Sequence, residues 1–202
     1  MSYSSEQSKE RILFCAQREF LEYGFEKANL RRIAENAHVT TGALYNYYSG
    51  KDALFDALVS DTATAMFEQF RAQHENAATD LGRGDHTSWD RSAKDGSRWV
   101  IDFIYHHMSE VRLLLCCSAG TKWDNFFEPF IELEERAYKS YFDVVAPEKK
   151  PPSDFFFHCT AASGFEFVAH LVEHDLSYDE AAAAMNEQER FRLAGWREIT
   201  GG

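Results

Sequence analysis

The sequence predicts an all-α chain built as two helical domains. Apolar residues recur at three- and four-residue spacing along most of its length, and no segment alternates apolar with polar residues as a half-buried strand would. Side chains suited to helix caps also stand directly before several of the periodic runs.

The first helix spans residues 8–23 and stops at Gly24, a natural C-terminal cap. Asn29 caps a second, which keeps Leu30, Ile33, Ala34 and Ala37 on one face. His38 and Val39 make a turn, and Thr40 caps a third helix through Asn46. That third helix buries Val39 and Leu44 and leaves Thr41, Gly42, Ala43, Tyr45 and Asn46 to face a partner. Ser49, with Asp52 three residues on, is a capping-box variant that opens a helix at Gly50 or Lys51. Along it Leu54, Phe55, Leu58, Val59, Thr62, Met66, Phe67 and Phe70 hold helical spacing for about six turns. Between Asn76 and Gly96 the chain turns small and polar, which predicts a long loop. Helical patterns resume over residues 99–106, 111–117 and 123–145, and Pro147, Pro151 and Pro152 end the last of these. Ser153 or Asp154 then caps a helix to about Leu176, and residues 177–196 form the final one. The expected domains are residues 1–50 and 51–202.

Two short helices joined by a tight turn are how a small domain presents one helix to the major groove of DNA. The first turn of the presented helix, Thr41, Gly42 and Ala43, is the part that meets base edges in that docking mode. Glycine inside a helix costs about 1 kcal/mol relative to alanine, so Gly42 implies either close approach of backbone to DNA or tight packing on the first helix. The net charge of −12 sits largely elsewhere: residues 1–60 hold seven Lys and Arg against eight Asp and Glu, which leaves −11 to the remainder. The first domain is thus near neutral, with Lys27, Arg31, Arg32 and Lys51 as its sources of phosphate neutralisation, so useful affinity calls for two protomers.

From Arg11 to about Val59 the chain resembles the DNA-binding domain of the TetR family of bacterial transcriptional repressors. The resemblance runs through Ile12, Ala16, Phe20, the Tyr23-Gly24-Phe25 corner, Ile33-Ala34, Ala37, Val39-Thr40, Gly42, Leu44-Tyr45, Tyr47-Tyr48, Lys51 and Leu54. His38 stands where the family turn usually has Gly, and Asn29 where a phosphate-contacting Thr is common; His tolerates positive φ and Asn can cap. The resemblance implies an N-terminal three-helix, helix-turn-helix domain with Asn29, Arg31, Thr40, Thr41, Gly42, Ala43, Tyr45, Asn46, Tyr47 and Lys51 on operator DNA. Among these Tyr45, Tyr47 and Lys51 are phosphate contacts, while Tyr48 matches a core aromatic.

The same resemblance implies a C-terminal helical bundle for effector binding and dimerisation, with the last two helices of each protomer forming a homodimer interface. Ala161, Ala162, Gly164, Phe165, Val168, Ala169, Val172 and residues 181–184 offer the mix of small and large side chains that close helix packing needs; a purely intramolecular core is the alternative. The aromatic density of this half predicts a pocket lined by Trp99, Phe103, His106, Cys116, Trp123, Phe127 and Phe165, with His106 or Glu166 as polar contacts. A lipophilic or aromatic effector suits such walls; nearby carboxylates favour a cationic one, and an acyl chain fits as well. The implied function is a ligand-responsive repressor released from a palindromic operator, with an activator or a partner-controlled regulator as alternatives.

A different chemistry is offered by His170-Leu-Val-Glu-His174, which has the H-x-x-E-H spacing of inverzincin metalloproteases. Only 28 residues follow it, too few for a distant third ligand and a substrate domain, so neither an enzyme nor a metal or cofactor is expected. No uninterrupted apolar run reaches the roughly 18 residues of a membrane span. The first residues also lack the basic and apolar regions of a signal peptide, so a cytoplasmic location with reduced cysteines is expected, Cys15 and Cys159 lying in apolar helical patterns.

Overall fold

The computed structural model describes residues 5–83 and 87–201, the side chains of residues 87–94 excepted. Its elements are α1 (Ser5–Lys27), α2 (Leu30–Asn36), α3 (Thr41–Tyr47), α4 (Lys51–Gly82), α5 (Thr87–His106), α6 (Met108–Cys116), α7 (Glu128–Val145), α8 (Asp154–Glu173) and α9 (Tyr178–Thr200). No strand occurs among the described residues.

Two compact units divide the chain. The first holds residues up to Ala65 together with His107–Phe126; the second holds Met66–His106 and everything from Phe127 onward. The division expected after residue 50 therefore falls within α4, which contributes its first half to one unit and its second half to the other. In the first unit Ile12, Ala16, Phe20, Ile33, Ala34 and Leu44 bury one face each of α1, α2 and α3. Phe20, Phe25 and Phe55 meet there with ring centroids 5.1 to 5.9 Å apart. Segment 107–126 joins this unit because α6 packs on α1 through buried Val111, Leu113 and Leu114, and the Phe25 amide donates to the Cys117 carbonyl at 2.9 Å. In the second unit α7 packs on α8 and α5 on α9, around a core of Tyr138, Phe142, Phe157 and Trp196.

Caps form where local chemistry placed them. Thr40, Ser153 and Ser177 accept from the backbone amides of Ala43, Phe156 and Glu180, and Glu180 closes a full capping box at α9. Gly24, at φ +72°, ends the regular part of α1, since that conformation strains any residue with a Cβ. At α4 the expected Ser49 cap does not form among the described residues; Gly50 holds the cap position, and its carbonyl accepts from Leu54.

The loop expected over residues 76–96 is replaced by the end of α4 and the start of α5, with residues 84–86 outside the described set. Ala77 and Leu81, one turn apart, are buried and extend the apolar stripe of α4, while α5 lies on α9; tertiary burial outweighs a composition poor in apolar residues. The expected pattern over residues 123–145 becomes helical only from Glu128, where Pro129 occupies the first turn. Of the cysteines, all four are free, and Cys116 and Cys159 are exposed, Cys159 despite its apolar helical neighbours. Helix α8 is long and apolar enough to cross a membrane by length and composition alone. Its apolarity has a packing cause on one face, where Phe157, Ala161, Val168, Leu171 and Val172 are buried.

Candidate nucleic-acid interface and a polar-ended cavity

The turn between α2 and α3 is a Schellman closure: the His38 amide donates to the Glu35 carbonyl at 3.1 Å and the Val39 amide to the Ala34 carbonyl at 3.0 Å. His38 takes the left-handed position usually given to glycine, at φ 54°. Asn29 Oδ1 accepts from the Arg31 amide at 2.8 Å and Thr40 Oγ1 from the Ala43 amide at 3.0 Å, so both short helices start on side-chain caps.

Beneath them lies a bond that periodicity does not reveal. Glu19, 4% exposed, accepts the Asn29 amide at 2.8 Å and the Arg32 guanidinium at 2.5 and 2.9 Å, which ties the entry of α2 to α1. Arg32 also lies over the Tyr23 ring, 4.3 Å from its centroid. This engagement removes Arg32 from the cations expected to neutralise phosphate. Glu19→Ala should strand the Asn29 amide and uncouple the cap from α1, lowering Tm by about 5 °C in a thermal melt. An unchanged Tm would show that α2 holds its place without this contact.

On α3, Gly42, Tyr45 and Asn46 are exposed, while Thr41, Ala43 and Tyr47 are half-buried. A Cβ built on Gly42 would meet only Thr40 Oγ1, at 3.9 Å, so packing on α1 does not require a glycine here. The Tyr47 hydroxyl lies 3.3 Å from Ser5 Oγ, and Lys51 Nζ donates to the Glu26 carbonyl at 3.0 Å while sitting 4.5 Å from the Phe25 ring centroid. Arg31 is exposed, as are Asn29 and Thr40. Tyr48 is 7% exposed and its hydroxyl is buried without a partner; burial, then the Glu6 charge, pushes its ionisation up.

The second unit holds a cavity of about 140 Å³, partly open to solvent, between α4, α5, α7, α8 and α9. Phe70, Ala77, Val100, Ala161, Phe165, Val168 and Met185 supply apolar walls, and His74, Glu134, Tyr138, Glu189 and Arg192 a polar end. Glu134 joins three elements there, accepting from His74 Nε2 at 2.5 Å and from Arg192 Nη1 at 3.1 Å; the same Arg192 nitrogen donates to the Tyr138 hydroxyl at 3.0 Å. His74 Nδ1 lies 3.0 Å from the Phe70 carbonyl, which can only accept, so Nδ1 carries a proton. A neutral ring would then turn the Nε2 lone pair on the carboxylate, whereas an imidazolium donates from both nitrogens. Burial pulls His74 down, but the bond and charge of Glu134 outweigh it and its ionisation is raised. Burial likewise pushes Glu134 up, and His74 and Arg192 together bring it down to about 2. The cluster is therefore a buried ion pair extended by a guanidinium.

Of the residues expected to line a pocket, Phe165 does so, and Phe127 stands behind it with ring centroids 5.0 Å apart. Trp99 packs on Phe103 at 5.4 Å, His106 turns its Nδ1 to the Asp102 carbonyl at 2.7 Å, and Glu166 is exposed. Cys116 and Trp123 belong to the other unit, where Trp123 Nε1 donates to Asp56 Oδ1 at 3.1 Å. The sequence did carry a signal for the polar end. Glu134 interrupts the buried stripe Phe130, Tyr138, Phe142 of α7, and Glu189 the stripe Ala181, Met185, Leu193, Trp196 of α9. A carboxylate at a core position of a helical stripe demands a partner or a ligand.

His170 and Glu173 pair at 2.8 Å on an exposed face, with the His174 ring 6.0 Å from that of His170. Among the described residues no group of three or more His, Cys, Asp or Glu side chains converges to hold a metal ion.

Residues 12–58 match the model of the bacterial regulatory proteins of the tetR family. The HTH-type transcriptional repressor Rv1474c of Mycobacterium tuberculosis is 38% identical over 58 residues, which are 29% of this chain and 31% of that protein. The HTH-type transcriptional repressor AcnR of Corynebacterium efficiens is 35% identical over 77 residues, 38% of this chain and 39% of that one. The chain thus spans about a third of the length of the curated relatives it matches. The whole fold resembles solved structures. A TerR/AcrR-family transcriptional regulator of Aquifex aeolicus aligns with TM-score 0.58 at 18% identity, over 91% of this chain and 98% of that one. NalD of Pseudomonas aeruginosa, the secondary repressor of the MexAB-OprM multidrug efflux pump, aligns with TM-score 0.56 at 21% identity, over 94% and 97%. With the helix-turn-helix motif and the capped α3 in hand, residues 12–58 match the bacterial regulatory proteins of the tetR family, and the all-helical remainder shares the fold of the solved regulators.

Proposed function

We propose that the protein is a repressor that binds a palindromic operator as a homodimer in the cytoplasm and is released when a small molecule enters the cavity of the second unit. The observation that carries the DNA reading is α3, held at its start by Thr40 and presenting Gly42, Tyr45 and Asn46 to solvent, with room for a Cβ at the glycine beside Thr40 Oγ1. Backbone approach at Gly42, a phenol at Tyr45 and the exposed Arg31 suit a helix seated in the major groove and steadied on phosphates. A second copy suits the outer side of α8 and α9, where Phe155 and Phe191 are each 77% exposed. Two copies also answer the near-neutral charge of the first 60 residues, since a dimer doubles the phosphate contacts. Release follows from linkage: an effector that prefers a state unable to fit the operator lowers affinity in proportion to that preference.

The test is a mobility shift against the DNA flanking the protein's own gene, at fixed salt. The wild type should bind a palindromic site as a dimer, and Tyr45→Ala should weaken binding about tenfold or more with Tm unchanged, as loss of a phosphate-contacting group would. Tyr45→Ala binding as tightly as the wild type would remove α3 from the interface.

A further inference from the structure

We propose that the effector is a small organic cation, a protonated amine on an aromatic or branched apolar body, bound through Glu189. This deepens the effector reading above and rests on it for its regulatory meaning.

The carboxylate of Glu189 accepts no hydrogen bond from the described residues of the cavity; the charge of Arg192 acts on it from one turn along α9 without donating to it. The residue is 6% exposed, lines the cavity, and makes no hydrogen bond or ion pair with any described residue. Glu134, its neighbour in the same polar end, is fully matched by His74 and Arg192. Arg192 lies one turn along α9 from Glu189, and its Nη1 donates to Glu134 and Tyr138 instead. Glu189 also borders the adjoining hollow beside Ser97, Arg98 and Tyr178 and another along α9 beside Arg190 and Leu193, so it stands where three spaces meet. A buried carboxylate without donors is costly, and a donor that carries positive charge answers it best.

The rest of the cavity fixes the body of the ligand. Phe70 and Phe165 stand with ring centroids 5.6 Å apart, in an edge-to-face arrangement, and Val168 and Met185 complete an apolar wall. A volume of about 140 Å³ is close to that which holds one benzene-sized ring in an apolar protein cavity. Aromatic faces add attraction for a cation brought near them. A carboxylate ligand of the same size would bring a second anion to Glu189, while the cations of the polar end, His74 and Arg192, already bond to Glu134.

Calorimetric titration of the full-length, DNA-free protein with 2-phenylethylamine, 2-phenylethanol and phenylacetate at pH 7 separates the charge types on one scaffold. The amine should bind at least tenfold tighter than the alcohol, and phenylacetate more weakly than either; Glu189→Gln should abolish the amine's advantage while leaving alcohol binding in place. No amine binding below about 1 mM, or equal binding of alcohol and amine by the wild type, overturns the inference without recourse to the variant. An amine advantage that persists in a folded Glu189→Gln protein overturns it too. The operator is kept for a separate arm: amine binding that depends on Glu189 but leaves operator affinity unchanged supports the site and refutes its role as the release switch.

Discussion

Glu134→Ala is expected to destabilise the protein by about 3–5 kcal/mol, the range found when one partner of a buried pair is removed. For a chain of this size that lowers Tm by about 10 °C or more. The variant would leave the Arg192 guanidinium without its carboxylate, and His74, with burial and the Arg192 charge both pulling it down and the Glu134 charge gone, would lose its proton and its bond. A triple replacement, Glu134→Leu, His74→Phe and Arg192→Met, should recover part of the loss, because burying apolar groups of similar volume removes the desolvation penalty along with the attraction. Calorimetric unfolding of the wild type and both variants checks this. A single variant as stable as the wild type would mean that the cluster contributes nothing net.

The same cluster dictates how stability follows pH. Glu134 ionises well below its usual 4.5, at about 2, so its contribution is complete above 4.5 and is lost as pH falls toward 2. His74 titrates above its usual 6.5, so its contribution is complete below 6.5 and is lost as pH rises through the raised value. Both are present together between those two ordinary values. The stability difference between wild type and Glu134→Ala should therefore be largest between pH 4.5 and 6.5 and shrink on either side, measured as Tm against pH.

What was legible in the sequence and what was not divides along chain separation. Asn29, Thr40, Ser153 and Ser177 act within three residues of themselves, and each caps the helix it precedes. His38 could be placed at a left-handed turn because the geometry is set by the residues on either side. Glu19 and Arg32 lie 13 residues apart across a turn, and His74 and Glu134 are 60 apart, so nothing local announced either bond. Residues 76–96 were misleading for a related reason. Their composition is that of a loop, and the helices they form are held by buried Ala77 and Leu81 and by the packing of α5 on α9.

The cavity was missed by following aromatic density. The rings expected to line it pack on other rings: Trp99 on Phe103, Trp123 on Phe126, and Phe127 on Phe130. The space is left instead where side chains are small or charged, beside Ala77, Gly96, Ala161 and Gly164 and around the carboxylates. Stripe-breaking glutamates were the better guide, because a core position tolerates a charge only when something answers it.

Gly42→Ala is expected to act in opposite directions on stability and on DNA binding. Position 42 is in the first turn of α3, where alanine is favoured over glycine by up to about 1 kcal/mol, so Tm should hold or rise slightly. Nothing in the protein resists the added methyl, whose nearest neighbour would be Thr40 Oγ1 at 3.9 Å, an ordinary contact. In the proposed docking of α3, a methyl at position 42 would press against the DNA surface and not against the protein. Placing a methyl into such an interface costs about 1–3 kcal/mol, a loss of roughly 5- to 150-fold in operator affinity. The two effects come from one substitution and are read by separate measurements, a thermal melt and a mobility shift at fixed salt. Higher Tm with weaker binding identifies Gly42 as the point of closest approach. Unchanged affinity would move that point elsewhere on α3, toward Tyr45 and Asn46, and a lowered Tm would return Gly42 to a role within the fold itself.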